Sequence, residues 1–237
     1  MQQHEKLNNV MESGNHFKNG VMKIKRKLVM LLSIMVFIGI SSCSDDNDNG
    51  SNNPSVIDAK VVDGSEYNDQ IVTVKALIVE SYERYPGGGY YQTGYEVASC
   101  PYKNGGFKLN LSKDVPSQYL ESLDETDFGE EEIAPFVSDK NAKIANLSIL
   151  AYDEADKEIG EFYLNWENEE DAGAIYCYAD RDFTVKGTYN YGDYKDIYNV
   201  SIRKGWNIIY NKETNESFTS TTSKPNGANF KWYFEEN

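Results

Sequence analysis

Nucleophilic and acid–base chemistry draws on few side-chain types, and this chain is poor in the most versatile of them. Its 237 residues include two histidines, His4 and His16, three cysteines, Cys43, Cys100 and Cys177, and 38 Asp plus Glu. The basic stretch Lys23-Ile24-Lys25-Arg26-Lys27, the uncharged apolar run 28–40 and the small residues Ser41 and Ser42 lead into Cys43. That order is the order of an export signal. The apolar run is shorter than the roughly 20 residues that a helix needs to span hydrocarbon, which favours cleavage over a permanent span. Both histidines precede the signal, so a chain processed at Cys43 contains none. A Ser-His-Asp triad, a Cys-His dyad and a His-ligated zinc are then excluded.

Ile40-Ser41-Ser42-Cys43 resembles the lipobox at which signal peptidase II cuts. The resemblance implies that Cys43 carries a diacylglyceryl group and an amide-linked acyl chain, and two or more chains hold a protein stably on a membrane. Residues 1–21 are polar and precede the basic stretch, so initiation is expected at Met22, with 22–42 the signal peptide. Ser44-Asp45-Asp46-Asn47-Asp48 resembles the serine-plus-acidic stretch that directs Bacteroidetes-type lipoproteins to the outer face of the outer membrane. Residues 43–55 read as the acylated cysteine and a flexible acidic tether, and 56–237 as the folded domain. Asp45, Asn47, Asn49 and Gly50 mimic part of an EF-hand loop, but its twelfth place is Val56 where a bidentate Glu is needed.

Six Lys/Arg and two Asp/Glu fall in the first 43 residues, leaving 17 basic and 36 acidic residues and a formal net charge of −19. A nucleic-acid partner is excluded by repulsion from phosphate. The expected partners are the membrane, through the N-terminal lipid anchor, and a glycan or protein ligand. No cofactor and no resident metal is expected. Gly87-Gly88-Gly89 lacks the following Lys and the strand-to-helix setting of a phosphate loop.

Carboxylates are the catalysts that remain. A glycosidase needs two of them about 5 to 10 Å apart, a spacing that some pair among so many acids meets by chance. The clusters 124–132 and 167–171 read as solvated loops, with calcium ligation the alternative. Cys100 and Cys177 either form a disulfide, as an oxidising compartment allows, or stay separate buried thiols.

One stretch suits binding better than chemistry. Tyr82, Tyr85, Tyr90, Tyr91 and Tyr95 crowd a Gly-rich connection, 84–93, between two neighbouring strands, with Tyr85, Tyr90 and Tyr91 the candidate ligand-binding residues. Tyrosine offers a flat apolar face with a polar tip, which suits sugar rings and protein anchors. Trp166, Trp206 and Trp232 alternate with apolar neighbours and read as core. Three functional classes result. The first is a non-catalytic binding or adhesion module, the second a structural subunit of an outer-membrane complex, and the third a carboxylate-based glycan hydrolase.

The elements that would position these residues are strands. Residues 71–81 are apolar on both sides and predict a central strand, while 94–100 and 106–111 predict a hairpin over Lys103-Asn104-Gly105-Gly106. A second hairpin is expected from 143–152 and 158–164, followed by strands at 174–179, 183–189, 194–202, 206–211, 217–222 and 229–234. Residues 115–123, with Pro116 after Asp114, predict one short crossover helix. The expected fold is all-β, an antiparallel β-sandwich of transthyretin or immunoglobulin type with about ten short strands.

Residues 64–111 resemble the transthyretin-like, carboxypeptidase-regulatory β-sandwich. The likeness lies in Asp63-Gly64, a long apolar strand, then Tyr95-Glu96-Val97-Ala98-Ser99 leading through Asn104-Gly105-Gly106 to Phe107-Lys108-Leu109-Asn110-Leu111. It departs from that pattern in the connection 100–104 and in a longer C-terminal half. The chain as a whole is similar to the small surface lipoproteins of Bacteroidetes, and neither resemblance brings catalytic residues.

Overall fold

A computed structural model describes residues 54–85, 90–112, 114–130 and 133–237. The export signal at 22–42, Cys43, the tether as far as Asn53 and the triple glycine lie outside the described residues. Strands follow one another at short intervals: β1 (Val56–Lys60), β2 (Thr73–Arg84), β3 (Tyr90–Pro101), β4 (Gly106–Asn110), β5 (Glu121–Ser122), β6 (Lys143–Asn146), β7 (Ser148–Tyr152), β8 (Glu158–Trp166), β9 (Ala172–Ala179), β10 (Phe183–Tyr191), β11 (Tyr194–Ile202), β12 (Gly205–Glu213), β13 (Ser217–Thr221) and β14 (Phe230–Glu236). The fold is all-β and sandwich-like, with open sheets.

Two arrays share one corner. The first runs β3-β2-β7-β8, with β14 on the far side of β8, and the second runs β10-β11-β13-β12-β9. They join where Leu164 and Asn165 of β8 pair with Ala174 and Gly173 of β9. Alternation along each strand then decides which core a side chain enters. Val74, Ala76 and Ile78 of β2, Phe162 of β8 and Trp232 of β14 share a core with Tyr176 and Tyr178 of β9 and Trp206 of β12. A separate ribbon, β1 paired with β4, adds Ile57, Ala59, Phe107 and Leu109 to the same core. Cys177 and Ala179, on the opposite face of β9, pack with Val185, Val200 and Ile209 in a second core, covered by Leu123, Ile133 and Ala142 of the β5–β6 region. Each fully buried aliphatic or aromatic side chain stabilises the fold by about 1.5–3 kcal/mol relative to exposure.

Several expectations are corrected. The Lys103–Gly106 turn forms as expected, with positive φ at Asn104 and Gly105 and reciprocal bonds between Lys103 and Gly106 of 2.9 and 3.1 Å. The strands it joins nevertheless part company, because β3 pairs with β2 and β4 pairs with β1. The stretch 143–152 is two strands, since at Leu147 the chain passes from β9 to β2 and β8. The crossover helix at 115–123 is absent. Ser117–Tyr119 and Leu123–Glu125 are single 3₁₀ turns around β5, too short a run for a helix to repay its nucleation. Among the described strands one pairing is parallel, apart from the isolated bridge between Val61 and Trp232: β13 fits between the diverging strands β11 and β12, antiparallel to β12 and parallel to β11. Trp206 and Trp232 are core, whereas Trp166 is only half-buried at the end of β8.

Candidate functional site

Of the tyrosines expected in the connection, Tyr82 stands on β2 and Tyr90 and Tyr91 on β3, while Tyr85 lies just past the end of β2. β2 and β3 continue their ladder past the sheet, pairing Ser81 with Thr93, Tyr82 with Gln92, Glu83 with Tyr91 and Arg84 with Tyr90. The result is a two-stranded arm. Tyr95 is not part of its tip, since it stacks on Tyr119 at 4.6 Å against the first core.

The arm does not project outward. In a straight strand Tyr82 would lie nine residues, about 30 Å, beyond Thr73. Yet Gln92, the partner of Tyr82, donates its backbone N–H to the Glu158 carboxylate at 2.7 Å, and Glu158 pairs with Tyr152 beside Thr73. The arm therefore folds back over the outer face of β7 and β8. Two features permit the bend. A bulge leaves Glu80 unpaired between Val79 and Ser81, and Gly94 sits where a Cβ would meet the Ile78 carbonyl oxygen at 1.9 Å. Beneath the arm Leu77, Leu150 and Tyr152 form a small third cluster with Val79, and Leu150 is 0% exposed.

The latch that holds the arm is polar. Glu158 is 4% exposed and accepts a second bond from the Asn237 side chain at 3.1 Å. Its own backbone N–H donates to the Tyr85 hydroxyl at 3.1 Å. Lys157 stands 5.6 Å over the Tyr85 ring, and Tyr85 lies against Tyr91 with centroids 4.6 Å apart. In the floor, Lys75 pairs with Asp156 at 2.6 Å and stands 4.1 Å over the Tyr152 ring. Glu161 lies on the same outer face as Glu158 because of a bulge at Ile159, where Ala151 pairs with Gly160 and Tyr152 with Glu158. Without the bulge, residues three apart would face opposite sides.

Burial raises the Glu161 carboxyl above its ordinary value. Hydrogen bonds from Ser148 and Gln92 oppose the rise, and the Glu158 and Glu235 charges add to it. Burial, then Glu161 and Glu158, likewise raise the Tyr82 phenol. A raised carboxyl could serve as a general acid if a substrate atom reached it. Here Ser148 and Gln92 already donate to Glu161, and the arm lies above.

The two faces of the arm differ. On one, Tyr91 donates to Glu83, the Ser81 and Thr93 hydroxyls meet at 2.7 Å, and Tyr85 packs on Tyr91. On the other, register places Tyr82 and Tyr90 diagonally across the ladder, 67% and 64% exposed. Of the three candidate residues, Tyr90 is thus displayed while Tyr85 and Tyr91 serve the arm itself. Tyr82, Gln92, Glu158 and Glu161 complete the site, and only Tyr82 carried a signal in the sequence.

The other candidates lie apart. Cys100 on β3 is half-buried beside the first core and Cys177 on β9 is buried in the second, and both thiols are free. In the 167–171 turn Glu167 binds Lys231 and Asn229, and Glu169 pairs with Lys212 at 2.9 Å. Of 124–132, Glu131 and Glu132 lie outside the described residues, and Glu125 accepts the Ser122 N–H at 3.3 Å as part of a capping box. Among the described residues no group of three or more Cys, Asp or Glu is arranged to hold a metal ion, and no helix is long and apolar enough to cross a membrane. No protein-family model, curated protein or solved structure matches the chain.

Proposed function

We propose that this chain is a lipid-anchored module of the outer membrane, displayed on the cell exterior like the small Bacteroidetes surface lipoproteins it resembles, which binds a glycan or protein ligand without catalysis. The supporting observation is the asymmetry of the tyrosine arm. One face satisfies its own hydroxyls and carboxylate, while on the other Gln92 bonds Glu161 in the floor and Tyr82 and Tyr90 remain 67% and 64% exposed. Burying large aromatic surface is the main source of affinity in small interfaces, and a ring held on a bonded arm loses little entropy on binding. The fold supports the same reading, since a latched hairpin on a sandwich positions contact residues better than a free loop would.

Arrays of glycans and of surface proteins, probed with the parent chain and with a Tyr82→Ala, Tyr90→Ala double variant, test the reading. A hit lost in the double variant supports it. A hit that survives moves the binding surface elsewhere.

A further inference from the structure

The first core does not close at every end. Trp166 ends β8, Phe230 begins β14 opposite it, and Tyr210 on β12 has the inward parity of Trp206 and Ile208. Their rings meet in sequence, Trp166 to Phe230 at 6.0 Å and Tyr210 to Phe230 at 5.0 Å. All three are half-buried. They border a cavity of about 300 Å³ whose remaining wall includes Thr219, Thr221 and Ser223. That volume is at the small end for a ligand pocket and suits one or two small rings rather than a folded partner.

The strand register explains why hydroxyls face the rings. Thr221 pairs with Tyr210 and Thr219 with Lys212, so these four side chains share a face. Thr221 Oγ accepts the Ser223 N–H at 3.1 Å, which fixes the turn that closes the wall. Among the described residues, no partner is present for the hydroxyls of Thr219 and Ser223. Asn211, between Tyr210 and Lys212, alternates to the opposite face by register but still borders the cavity.

Two lysines beside the mouth are already matched. Lys212 pairs with Glu169 at 2.9 Å and stands 4.6 Å over Trp166, and Lys231 pairs with Glu167. An anionic ligand would find Lys212 and Lys231 already paired and would meet the acidic excess of the chain. A wholly apolar ligand would cover the Thr219 and Ser223 hydroxyls without bonding them, which is unfavourable. A sugar ring meets both conditions, since it has an apolar C–H face and an equator of hydroxyls.

We propose that this aromatic mouth binds a neutral sugar ring, stacked against Trp166, Tyr210 and Phe230 and hydrogen-bonded by Thr219 and Ser223. The site is independent of the tyrosine arm. The full-length chain, in a sugar-free detergent, is titrated with glucose, galactose, mannose, N-acetylglucosamine, maltose, cellobiose and lactose. Tryptophan emission is followed because Trp206 and Trp232 are buried and Trp166 borders the mouth. At least one sugar gives a saturable change. Trp166→Ala, read by ligand-proton saturation transfer, and Tyr210→Ala each weaken it about tenfold or more. Thr219→Val, which keeps the packing volume, weakens it by a smaller factor, and the Tyr82→Ala, Tyr90→Ala double variant leaves it unchanged. The proposal is overturned if no sugar saturates, or if saturable binding persists in Thr219→Val and in Tyr210→Ala with unaltered affinity. Preferential binding of indole over every sugar also overturns it.

Discussion

The backbone N–H of Gln92 meets the carboxylate of Glu158 at 2.7 Å, although 66 residues separate them in the chain. This bond ties a hairpin to the outer face of its own sheet. Glu158→Ala removes the acceptor for both Gln92 and Asn237 and is expected to cost about 1–3 kcal/mol. The check is thermal melting together with amide exchange. Midpoint falls, and protection is lost first at Ser81–Thr93 while β9 and β12 stay protected. Uniform loss across all strands would mean that the arm has no separate latch.

Gly94 tests the bend rather than the latch. Any Cβ there must displace the Ile78 carbonyl, 1.9 Å away, so Gly94→Val forces the ladder apart at the bulge. The variant should bind the hydrophobic dye ANS, because Leu150 and Tyr152 lose their cover. By comparison Leu150→Ala, which leaves the bend intact but empties a fully buried site, should cost about 2–5 kcal/mol. Dye binding equal to that of the parent in Gly94→Val would show that the arm does not shield this cluster.

Much of the fold was legible in the sequence because strand periodicity and turn chemistry are local. The central strand β2, the Asn104-Gly105 turn and the β7–β8 hairpin over Asp153–Lys157 each follow from residues within a few positions. What was not legible depends on partners far along the chain. Nothing near Gly106 indicates that β4 will leave β3 for Val56–Lys60, and nothing near Ser217 indicates a parallel neighbour. The site shows the same division. Tyr82 and Tyr90 were visible as residues suited to contact, but Glu158 and Glu161 share a face only through the one-residue bulge at Ile159, which alternation alone would deny.

Glu161 gives the account a pH dependence. Burial raises its folded-state pKa above the ordinary value of 4.5, so the folded chain holds this proton more tightly than the unfolded chain does. Its contribution is most favourable below the unfolded pKa, and stability is lost as pH rises through the folded pKa. Glu161→Gln keeps an acceptor for Ser148 without the charge. Melting should show the variant more stable than the parent near neutral pH, with the difference shrinking towards about pH 4 as both chains become neutral there. An equal difference at both pH values would contradict a buried carboxylate as its cause.

The two thiols should react in a fixed order. Cys177 is buried and burial pushes its pKa up to about 12, while half-buried Cys100 is raised less. Thiolate is the reactive form, so alkylation of the native chain labels Cys100 first and leaves Cys177 until unfolding. Mass analysis of peptides reads this directly. Early labelling of Cys177 would place it outside the second core.

The central claim is that the exposed rings of Tyr82 and Tyr90 make the contact, and the most direct measurement is the affinity of the parent chain for its array hit against that of four variants. Tyr82→Ala and Tyr90→Ala should each weaken binding about tenfold or more, whereas Tyr85→Phe and Tyr91→Phe, on the self-satisfied face, should change it by less than about threefold. Equal affinity in the first pair, with loss in the second, would contradict the account.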